Sequence, residues 1–557
     1  MMLSFDEKDL YSLLVELVSI PGISMSREEN RTAEFIHSRL SELEYFQKNP
    51  DHLRFLPVKG DSLERKAVAA LVKTGRSTKK TIIVTGHFDV VDASAYGPLK
   101  HLAFSPEELS KRVGELEISD EARADLASGD YLFGRGVSDM KAGIALEMCL
   151  LGEVSRETDF PCNVLFLAVP DEENTSAGMR GALPWLLKLQ KEWELKLSAC
   201  LNGEPSVGSR GVPAGAVYLG TIGKIMPFYL CVGREAHVGD YYEGISSALI
   251  IANIVKTVEG VAETSEILDG VSFPPMACLR FHDLVKNYSV TLPERAVAYY
   301  NLLTVSKTPR SILEDMKSVA MAALTETLGF LEKQRKTVED RGGASFVRQK
   351  NEVKVLTYGE LKTLTRKRMS GFDGRLEGFL AALPSHLDER ERCVETASFL
   401  LDLSGEKGPL VVVGFLPPYY PPRRNLRENP GELAVLRAVD RLKEAGNEYG
   451  LSISTVEVFQ GIMDLSYFGF QGEGAELDPL GANMPLWEVE YRFPLEELKK
   501  IDVPVANFGP VGKDNHKSGE RIFLPYYLKV LPDLFRRFVA FLGEEAEGYE
   551  DEGADLS

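Results

Sequence analysis

The most constraining feature of the sequence is a repeated order of a short apolar run, polar residues and a helical pattern. Residues 81–85 (TIIVT) and 163–169 (NVLFLAV) are such runs, and their length and composition favour buried strands. Residues 140–154, between them, have the spacing of a helix. Strands that alternate with helices form a mainly parallel sheet covered by helices, so we expect an α/β fold. In such sheets, active sites gather beyond the carboxyl ends of the strands.

The chain of 557 residues is too long for one hydrophobic core, so we expect at least two domains. The α/β pattern covers residues 1–215 and returns over residues 421–557, which end in an acidic tail. Residues 216–420 have an α+β pattern and are predicted to be an inserted domain. It has strands at 216–233 and 288–304, helices at 244–258 and 308–335, and a basic, polar insertion at 336–407 that predicts no firm fold.

Composition excludes several classes of protein. The formal net charge of −19 argues against a nucleic-acid partner. No apolar run approaches the roughly 18 residues of a membrane span, and the start of the chain has the pattern of an amphipathic helix instead of a secretion signal. The six cysteines are scattered, which is typical of small buried side chains. We therefore expect a cytoplasmic protein without a membrane partner.

The first candidate functional residues follow the first strand and precede the first helix of the repeated pattern. His87 and Asp89 lie in GHFDVVD, and Asp139 lies in the glycine-rich turn GRGVSDMKAG. Residues two apart in an extended chain point to the same side, so Asp89 is suited to orient His87 as a metal ligand. The ordinary alternatives are a hydrogen-bonded histidine at a sheet edge and a carboxylate that caps a helix.

Three successive acids, Asp171, Glu172 and Glu173, follow the second strand in PDEENTSAG. Carboxylates crowded at the end of a buried strand repel each other, so a positive group must compensate or one pKa must be high. The alternative is a solvated acidic loop. Glu204 in NGEPS and His516 in KDNHKSGERI are weak signals when each is taken alone.

Taken together, two histidines and three carboxylates, with two further acids beside them, form a ligand set for two divalent ions that share one carboxylate. Mixed histidine and carboxylate ligands suit zinc, with cobalt and manganese as alternatives. Paired metals polarise a carbonyl and generate hydroxide near neutral pH. The clusters therefore predict a two-metal centre.

The order of these motifs resembles that of the M20 metallopeptidases. HxD is followed by GRGxxDMK, EE, EP and a late HxxxE, and GRGVSDMKAG is the most specific part. The resemblance covers the N-terminal and C-terminal segments and includes LVSIPGIS near the start. It implies a catalytic domain of the zinc-peptidase type, with a mixed, mostly parallel sheet and helices on both faces. It also implies that the inserted α+β domain is a lid that carries a dimer contact.

The resemblance implies a role for each residue of the set. Asp139 bridges the two metals, His87 and Glu204 complete one metal site, Glu173 and His516 complete the other, and Asp89 orients His87. Glu172 is the general base, which takes a proton from water and passes it to the leaving nitrogen.

In the predicted lid, REAHVGDYYEGISSA resembles the family pattern AHVGxxxxGxSA, with Tyr242 or its neighbour in place of the usual proline at the turn, and supplies His237. The resemblance implies that this histidine acts across a homodimer and stabilises the oxyanion. The structural alternative is a loop histidine that caps the helix at residue 244.

Departures from the family pattern bear on the substrate. YYNLLTVSKTP (299–309) lacks the arginine that usually ends a lid strand, so Asn287, Arg280 or Lys286 would have to anchor the substrate. The long segments 97–130 and 336–407 resemble the arginine-utilisation branch, which would imply an arginine or ornithine amide. We expect a hydrolase of a peptide or N-acyl amide bond in a small amino-acid-derived substrate. The alternative is a catalytically idle, metal-binding homologue, against which the complete set of ligands and base argues.

Overall fold

The structure is a computed structural model that describes residues 3–207, 215–342, 346, 352–384 and 386–546. The chain divides into two compact units. Unit 1 comprises Met1–Ile222, Pro421–Phe470 and Pro494–Ser557, and unit 2 comprises Gly223–Tyr420 and Gln471–Phe493. The acidic tail, from residue 547 onward, lies outside the described residues.

The strands are, in chain order, β1 Leu53–Pro57, β2 Lys66–Val72, β3 Lys80–His87, β4 Tyr131–Phe133, β5 Asn163–Val169, β6 Lys196–Asn202, β7 Ser206–Val207, β8 Val217–Tyr218, β9 Gly220–Thr221, β10 Gly223–Val232, β11 Ile267–Leu268, β12 Val271–Ser272, β13 Ala277–Asp283, β14 Arg295–Thr304, β15 Lys354–Thr357, β16 Leu410–Tyr420, β17 Arg423–Arg424, β18 Thr455–Val456, β19 Val505–Asn507, β20 Val511–Lys513 and β21 Arg521–Phe523.

The α-helices are α1 Glu7–Ser19, α2 Glu28–Ser41, α3 Glu44–Lys48, α4 Pro106–Arg112, α5 Asp120–Ser128, α6 Lys141–Val154, α7 Ala177–Glu192, α8 Ser247–Val258, α9 Pro309–Asp340, α10 Tyr358–Arg368, α11 Phe372–Ala382, α12 Glu389–Ser404, α13 Pro430–Asn447, α14 Asp478–Asn483, α15 Leu495–Leu498, α16 Leu524–Lys529 and α17 Leu531–Glu545. Short 3₁₀ helices span Pro50–His52, Ser94–Leu102, Val113–Glu115, Val238–Glu243, Ala262–Thr264, Asp464–Tyr467 and Gly474–Leu477.

Unit 1 is built on an eight-stranded sheet in the order β1-β2-β5-β3-β6-β19-β8-β18. The central strands β5, β3, β6 and β19 are parallel, whereas β1 and β2 add to one side as antiparallel strands. β3 and β5 are buried along their whole length, as strands covered on both faces must be. This mixed, mostly parallel sheet confirms the predicted α/β fold class.

Helices cover both faces of this sheet. Val84 and Phe166 join a core with α1, α6, α13 and α17, whereas the alternating residues Ile83 and Leu165 are buried without belonging to that core. Successive side chains of a strand point to opposite faces, and α7 contacts β1, β2 and β5. α6 is apolar on nearly every side and is buried along almost all of its length, which is typical of a central helix.

A second sheet of unit 1 has the order β4-β21-β20-β7. β20 and β21 are antiparallel and form a hairpin, and β4 pairs with β21 at one edge. The turn of this hairpin, residues 514–520, holds His516.

Unit 2 has a five-stranded sheet in the order β13-β14-β10-β16-β15. Phe228 and Leu230 of β10 pack in a core with Leu361 of α10 and Leu400 of α12. α8 and α9 also contact the sheet. In its described residues, the segment 336–407 forms the end of α9 together with β15, α10, α11 and α12. It therefore adds a strand and helices to the unit.

Two predicted elements of unit 2 differ from the structure. Residues 288–304 were expected to be a strand pair, but only Arg295–Thr304 is a strand, and it pairs with Ala277–Asp283. The preceding residues include Pro293, which lacks the N–H that a ladder requires, and Tyr288 is 94% exposed. The helix expected at residue 244 begins at Ser247, because Gly244 has extended backbone angles.

Among the described helices, none is both long enough and apolar enough to span a bilayer.

Candidate active site

The predicted ligands meet at the carboxyl edge of the central sheet of unit 1. His87 is the last residue of β3 and pairs in register with Val169, the last residue of β5. Glu172 and Glu173 follow β5 within four residues, and Glu204 follows the end of β6. Because β3, β5 and β6 are parallel neighbours, the residues that follow them share one edge of the sheet.

Asp139 lies between the two histidines of the set. Its Oδ1 is 3.2 Å from His87 Nε2, and its Oδ2 is 3.2 Å from His516 Nε2. The side chain of Asn515 donates a hydrogen bond of 3.1 Å to Oδ2. The two oxygens of one carboxylate thus face two different imidazoles, which is the arrangement that a carboxylate shared between two cations requires.

Each histidine has a second carboxylate beside it. Glu204 Oε1 is 3.2 Å from His87 Nε2, and Glu173 Oε1 is 2.9 Å from His516 Nε2. His87, Asp139 and Glu173 each place one ligand atom within 4.8 Å of the others. The residues therefore form two overlapping groups, with Asp139 common to both.

Glu172 lies slightly apart from these groups. Its Oε2 is 3.9 Å from His87 Nε2, which is beyond hydrogen-bond distance. Its carboxyl group is buried, and burial raises its pKa well above the ordinary value. The two neighbouring acids thus differ in their distance to a histidine, since Glu173 lies within hydrogen-bond distance of His516 and Glu172 lies only within ion-pair distance of His87.

Asp89 organises the backbone around the site. His87 Nδ1 is 3.0 Å from the carbonyl oxygen of Asp89 and 3.6 Å from its carboxylate. That carboxylate accepts hydrogen bonds from the N–H groups of Glu172 at 3.1 Å and Glu173 at 3.3 Å, and from the Ser24 hydroxyl at 2.5 Å. Asp89 therefore fixes both the ring of His87 and the turn that carries the two glutamates.

The electrostatics of the site show an excess of buried negative charge. Burial, followed by the charge of Asp139, raises the pKa of Glu173 and raises that of Glu204 to about 7. Burial would lower the pKa of His516, but hydrogen bonds to Asp139 and Glu173 raise it to about 11. Burial likewise opposes the charge of His87, yet Glu204 and Asp139 raise its pKa well above the ordinary range.

This donor set fits divalent metal ions. Imidazole nitrogens and carboxylate oxygens are ligands of zinc, cobalt and manganese. Crowded, buried carboxylates with raised pKa values are stabilised when a cation lies among them. The site is thus a possible metal-binding site in a chain whose motifs also predict one.

The positive group that the acidic run requires is Arg65, which sequence reasoning missed. Arg65 and Asp171 form a buried ion pair, and Arg65 also pairs with Asp61 at 2.8 Å. Asp171 has a left-handed φ of 70°, and its carboxylate accepts a hydrogen bond of 2.7 Å from the Thr175 hydroxyl. Asp171 therefore turns away from the site while the next two acids face it. A lone arginine far away in sequence gives no local signal of this contact.

The structure shows the contacts of Glu520, the glutamate of the HxxxE pattern. This residue forms a buried ion pair with Arg135 and accepts hydrogen bonds from the N–H groups of Gly136 at 2.8 Å and Asp139 at 3.4 Å. Arg135 also donates to the carbonyl oxygen of His516 at 3.2 Å. Glu520 and Arg135 thus join the turn that holds Asp139 to the turn that holds His516.

Asp464 is a further site residue that the sequence did not reveal. It is 1% exposed, and burial, together with the charges of Asp89 and Glu204, raises its pKa to about 8 although the charge of His87 acts in the opposite direction. One carboxylate oxygen is 3.4 Å from the Ser176 hydroxyl. In the described part of the chain, the other oxygen has no hydrogen-bond partner. The one signal was a single acid within the apolar stretch GIMDLSYFG.

His237 belongs to unit 2 and is exposed. Its Nδ1 accepts a hydrogen bond of 3.1 Å from the N–H of Gly239, so it caps the 3₁₀ helix that begins at Val238. His237 therefore caps a 3₁₀ helix, and the predicted cap on the helix at residue 244 is wrong, since Ser246 is the N-cap of α8. When Nδ1 accepts, the proton of a neutral imidazole lies on Nε2.

Two of the three candidate substrate anchors pair with acids of α12. Arg280 is 2.7 Å from Glu391, and Lys286 is 3.7 Å from Glu395. Asn287 is exposed.

Comparisons with known proteins agree with the motifs. Residues 83–481 match the family described as Peptidase family M20/M25/M40. The chain is 34% identical over 544 residues to the uncharacterized protein YqjN of Bacillus subtilis (strain 168), covering 97% of each chain. It is 29% identical over 541 residues to protein RocB of the same organism, covering 95% of this chain and 94% of RocB.

A solved structure shares the fold. The M20 family metallo-carboxypeptidase Sso-CP2 from Sulfolobus solfataricus superimposes with a TM-score of 0.52 at 13% identity, covering 97% of this chain and 99% of that chain. The family match spans more than half of the chain, and the ordered motifs of the chain converge on one group of histidines and carboxylates. The protein therefore belongs to the M20 family of metallopeptidases.

Proposed function

We propose that the protein is a hydrolase that cuts a peptide or N-acyl amide bond of a small amino-acid-derived substrate with two divalent metal ions. One observation carries the proposal: the two oxygens of Asp139 each lie 3.2 Å from a different histidine, His87 and His516. This geometry supports two neighbouring cation sites that share one carboxylate. Zinc is the metal that the ligands suit best, and cobalt and manganese are the alternatives.

The distances support a role for each of the candidate ligands. His87 and Glu204 would hold one ion together with Asp139, and His516 and Glu173 would hold the other. When bound, a pair of divalent ions supplies polarisation of the scissile carbonyl and a lowered pKa of water. Asp89 would keep His87 in one orientation and fix the turn of the two glutamates.

Glu172 is proposed as the general base. It is buried beside the ligand groups, and burial raises its pKa, which brings a carboxylate closer to the range that suits proton transfer near neutral pH. It would take a proton from the attacking water and give it to the leaving nitrogen. The neighbouring Glu173 is less suited to this role because it already contacts His516 at 2.9 Å.

His237 is proposed to stabilise the oxyanion that forms when water adds to the carbonyl. Its Nδ1 accepts from the N–H of Gly239, so a neutral ring offers the Nε2–H as a donor. His237→Ala should lower kcat and leave the metal content unchanged. Unchanged turnover would contradict this role.

A homodimer is proposed through unit 2. Among the described strands, β13 is an edge strand that pairs with β14 alone, and its apolar residues Leu279 and Phe281 are 53% and 49% exposed. Exposed edges with apolar side chains invite pairing with a second chain. A double substitution, Leu279→Lys with Phe281→Lys, should therefore produce monomers by light scattering. An unchanged mass would place the contact elsewhere.

The substrate class is proposed from the long form of the chain, which resembles the arginine-utilisation branch of the family. An arginine or ornithine amide is therefore the first substrate to test. A cytoplasmic location is proposed as well, because the six cysteines, all in the described part of the chain, form no disulfide, and scattered thiols without disulfides suit a reducing compartment.

The test is amine release from a panel of dipeptides and N-acyl amino acids, including arginine and ornithine derivatives, after loading with zinc, cobalt or manganese. Glu172→Gln serves as the inactive variant, and Glu192→Gln, on the surface of α7, serves as the matched control. Turnover that the first substitution abolishes and the second preserves supports the hydrolase. Release that is equal in all three proteins would refute it.

A further inference from the structure

We propose that Asp125 is a positioning residue for the second metal site. It acts through Arg521 and Asp514 on the hairpin turn that presents His516. The inference rests on the proposed two-metal function, and it gives a role to the long segment at residues 97–130 that the motifs leave unexplained. We call residues 94–130 the α4–α5 segment.

The α4–α5 segment is a firm support for such contacts. Tyr96, Leu99 and Leu109 are buried in its own small core, which also contains Phe133 of β4. α5 has a capped start, since the Ser119 hydroxyl accepts from the N–H of Ala122 at 3.1 Å, and it ends at a left-handed glycine. The segment leads directly into β4, which pairs with β21. Asp125 on α5 is thus held beside the hairpin that carries His516.

Asp125 contacts the two strands of the hairpin at once. Its Oδ2 accepts from Arg521 Nε at 2.8 Å and from Lys513 Nζ at 2.9 Å. These residues are the first of β21 and the last of β20, so they flank the turn. One carboxylate therefore fixes the spacing of both ends of the turn.

Arg521 connects Asp125 to residues of the turn. Its side chain is 0% exposed, and its Nη1 donates to the carboxylate of Asp514 and, at 2.9 Å, to the carbonyl oxygen of Gly519. A buried guanidinium that loses one of its two carboxylate partners keeps its charge with less compensation. Removing Asp125 should therefore disturb the position of Arg521 and of the turn residues that it holds.

The backbone of the turn needs such support. Asp514 has a φ of 54° and His516 a φ of 67°. Residues other than glycine adopt these left-handed backbone conformations uncommonly. Strained residues persist only where the surroundings hold them. Arg135 holds the His516 carbonyl oxygen on one side, at 3.2 Å, and Arg521 holds Asp514 on the other. His516 thereby stays 3.2 Å from Asp139.

The alternative is that these ion pairs stabilise the hairpin without affecting the metal site. The two possibilities predict different metal binding. Loss of a group that orients a ligand lowers metal affinity by about 10–100-fold. A merely structural contact would leave the ratio of the two metal affinities unchanged, even if the protein unfolded at a lower temperature.

The experiment is a titration of metal-free, full-length protein with Co²⁺, in which binding is measured by calorimetry and by visible absorption. We expect two sites in the wild type. In Asp125→Ala and the isosteric Asp125→Asn, we expect one site within about threefold of its normal affinity and the other weakened by about 10–100-fold. The weakened site should match the one that is lost in His516→Ala.

The matched control is Glu121→Gln. Glu121 also pairs with Lys513, at 2.8 Å, but its side chain is 68% exposed and no contact joins it to Arg521 in the described residues. We expect both affinities to remain unchanged in this variant. If Asp125→Ala does not fold, the metal affinities of Asp125→Asn alone test the positioning role.

Each outcome has one meaning. If the wild type binds no Co²⁺, the proposed two-metal function is wrong. If the wild type binds two ions and the Asp125 variants bind both with normal affinity, or lose both to the same extent, the positioning role is wrong. Selective weakening of the site that includes His516 supports it.

Discussion

Glutamine substitutions at Glu172 and Glu173 should separate a proton-transfer role from a ligand role. Both residues are buried acids in the same turn, and glutamine preserves the shape of each. Glu172 Oε2 is 3.9 Å from His87 Nε2, whereas Glu173 is 2.9 Å from His516 and within the group of ligand atoms around Asp139. The two substitutions therefore remove different functions.

The magnitudes follow from these positions. A positioned general base contributes about 10²–10⁴-fold to the rate, so Glu172→Gln should lower kcat by about that factor. At about 1.36 kcal/mol per tenfold change, this corresponds to roughly 2.7–5.4 kcal/mol of transition-state stabilisation. Glu173→Gln replaces a charged oxygen beside His516 by a neutral one, and we expect metal affinity to fall by at least about 10–100-fold.

The assay compares metal bound per chain with kcat at saturating substrate for both variants and for the surface control Glu192→Gln. We expect Glu172→Gln to retain close to the wild-type metal content and to lose turnover. We expect Glu173→Gln to lose metal and to regain part of its turnover when excess metal is added. Metal loss in Glu172→Gln with normal metal in Glu173→Gln would show that the two roles are reversed.

Three further predictions concern stability. Burial and then Lys66 lower the pKa of His37 below 6.5, so the unfolded chain binds the proton first and stability falls as the pH drops below about 6.5. His37→Phe should flatten this dependence in urea unfolding of metal-free protein, and parallel curves would contradict it. Arg65→Met leaves Asp171 buried without its cation and should lower the free energy of unfolding by about 3–5 kcal/mol. A decrease below about 1 kcal/mol in chemical denaturation would contradict the role of this pair. When free metal is present at about 100 times its Kd, a chelator should lower the free energy of unfolding by about 2.7 kcal/mol. Identical unfolding with and without chelator would argue against a metal site.

Much of the fold of unit 1 could be predicted because its strands and helices have clear local patterns of apolar residues. The run 163–169 is the strand β5, with the same bounds, and the helix expected at 140–154 is Lys141–Val154. A buried strand or helix must present apolar side chains at fixed spacing, so the periodicity reports burial directly. The strand pattern also predicted that the candidate ligand residues would lie beyond the carboxyl ends of the strands.

Contacts between distant segments could not be predicted in the same way. Arg65 and Asp171 are 106 residues apart, and Arg135 and Glu520 are 385 residues apart. Nothing in the residues around Arg65 distinguishes a buried arginine from a solvated one. The segment Gln471–Phe493 likewise belongs to unit 2, although no pattern in the sequence marks its return there.

By itself, the sequence determined the α/β class, the order of the motifs and the residue types of the candidate ligands, because these depend on local periodicity and on the chemistry of each side chain. Only the tertiary structure decided that Asp139 faces one histidine with each oxygen, that Asp171 turns to Arg65, and that Asp464 is buried near the site. These features depend on how strands far apart in the chain pair and on which charges become buried together. The electrostatic energy of a buried group is set by its neighbours in space, and neighbours in space are not recorded in any local stretch of residues.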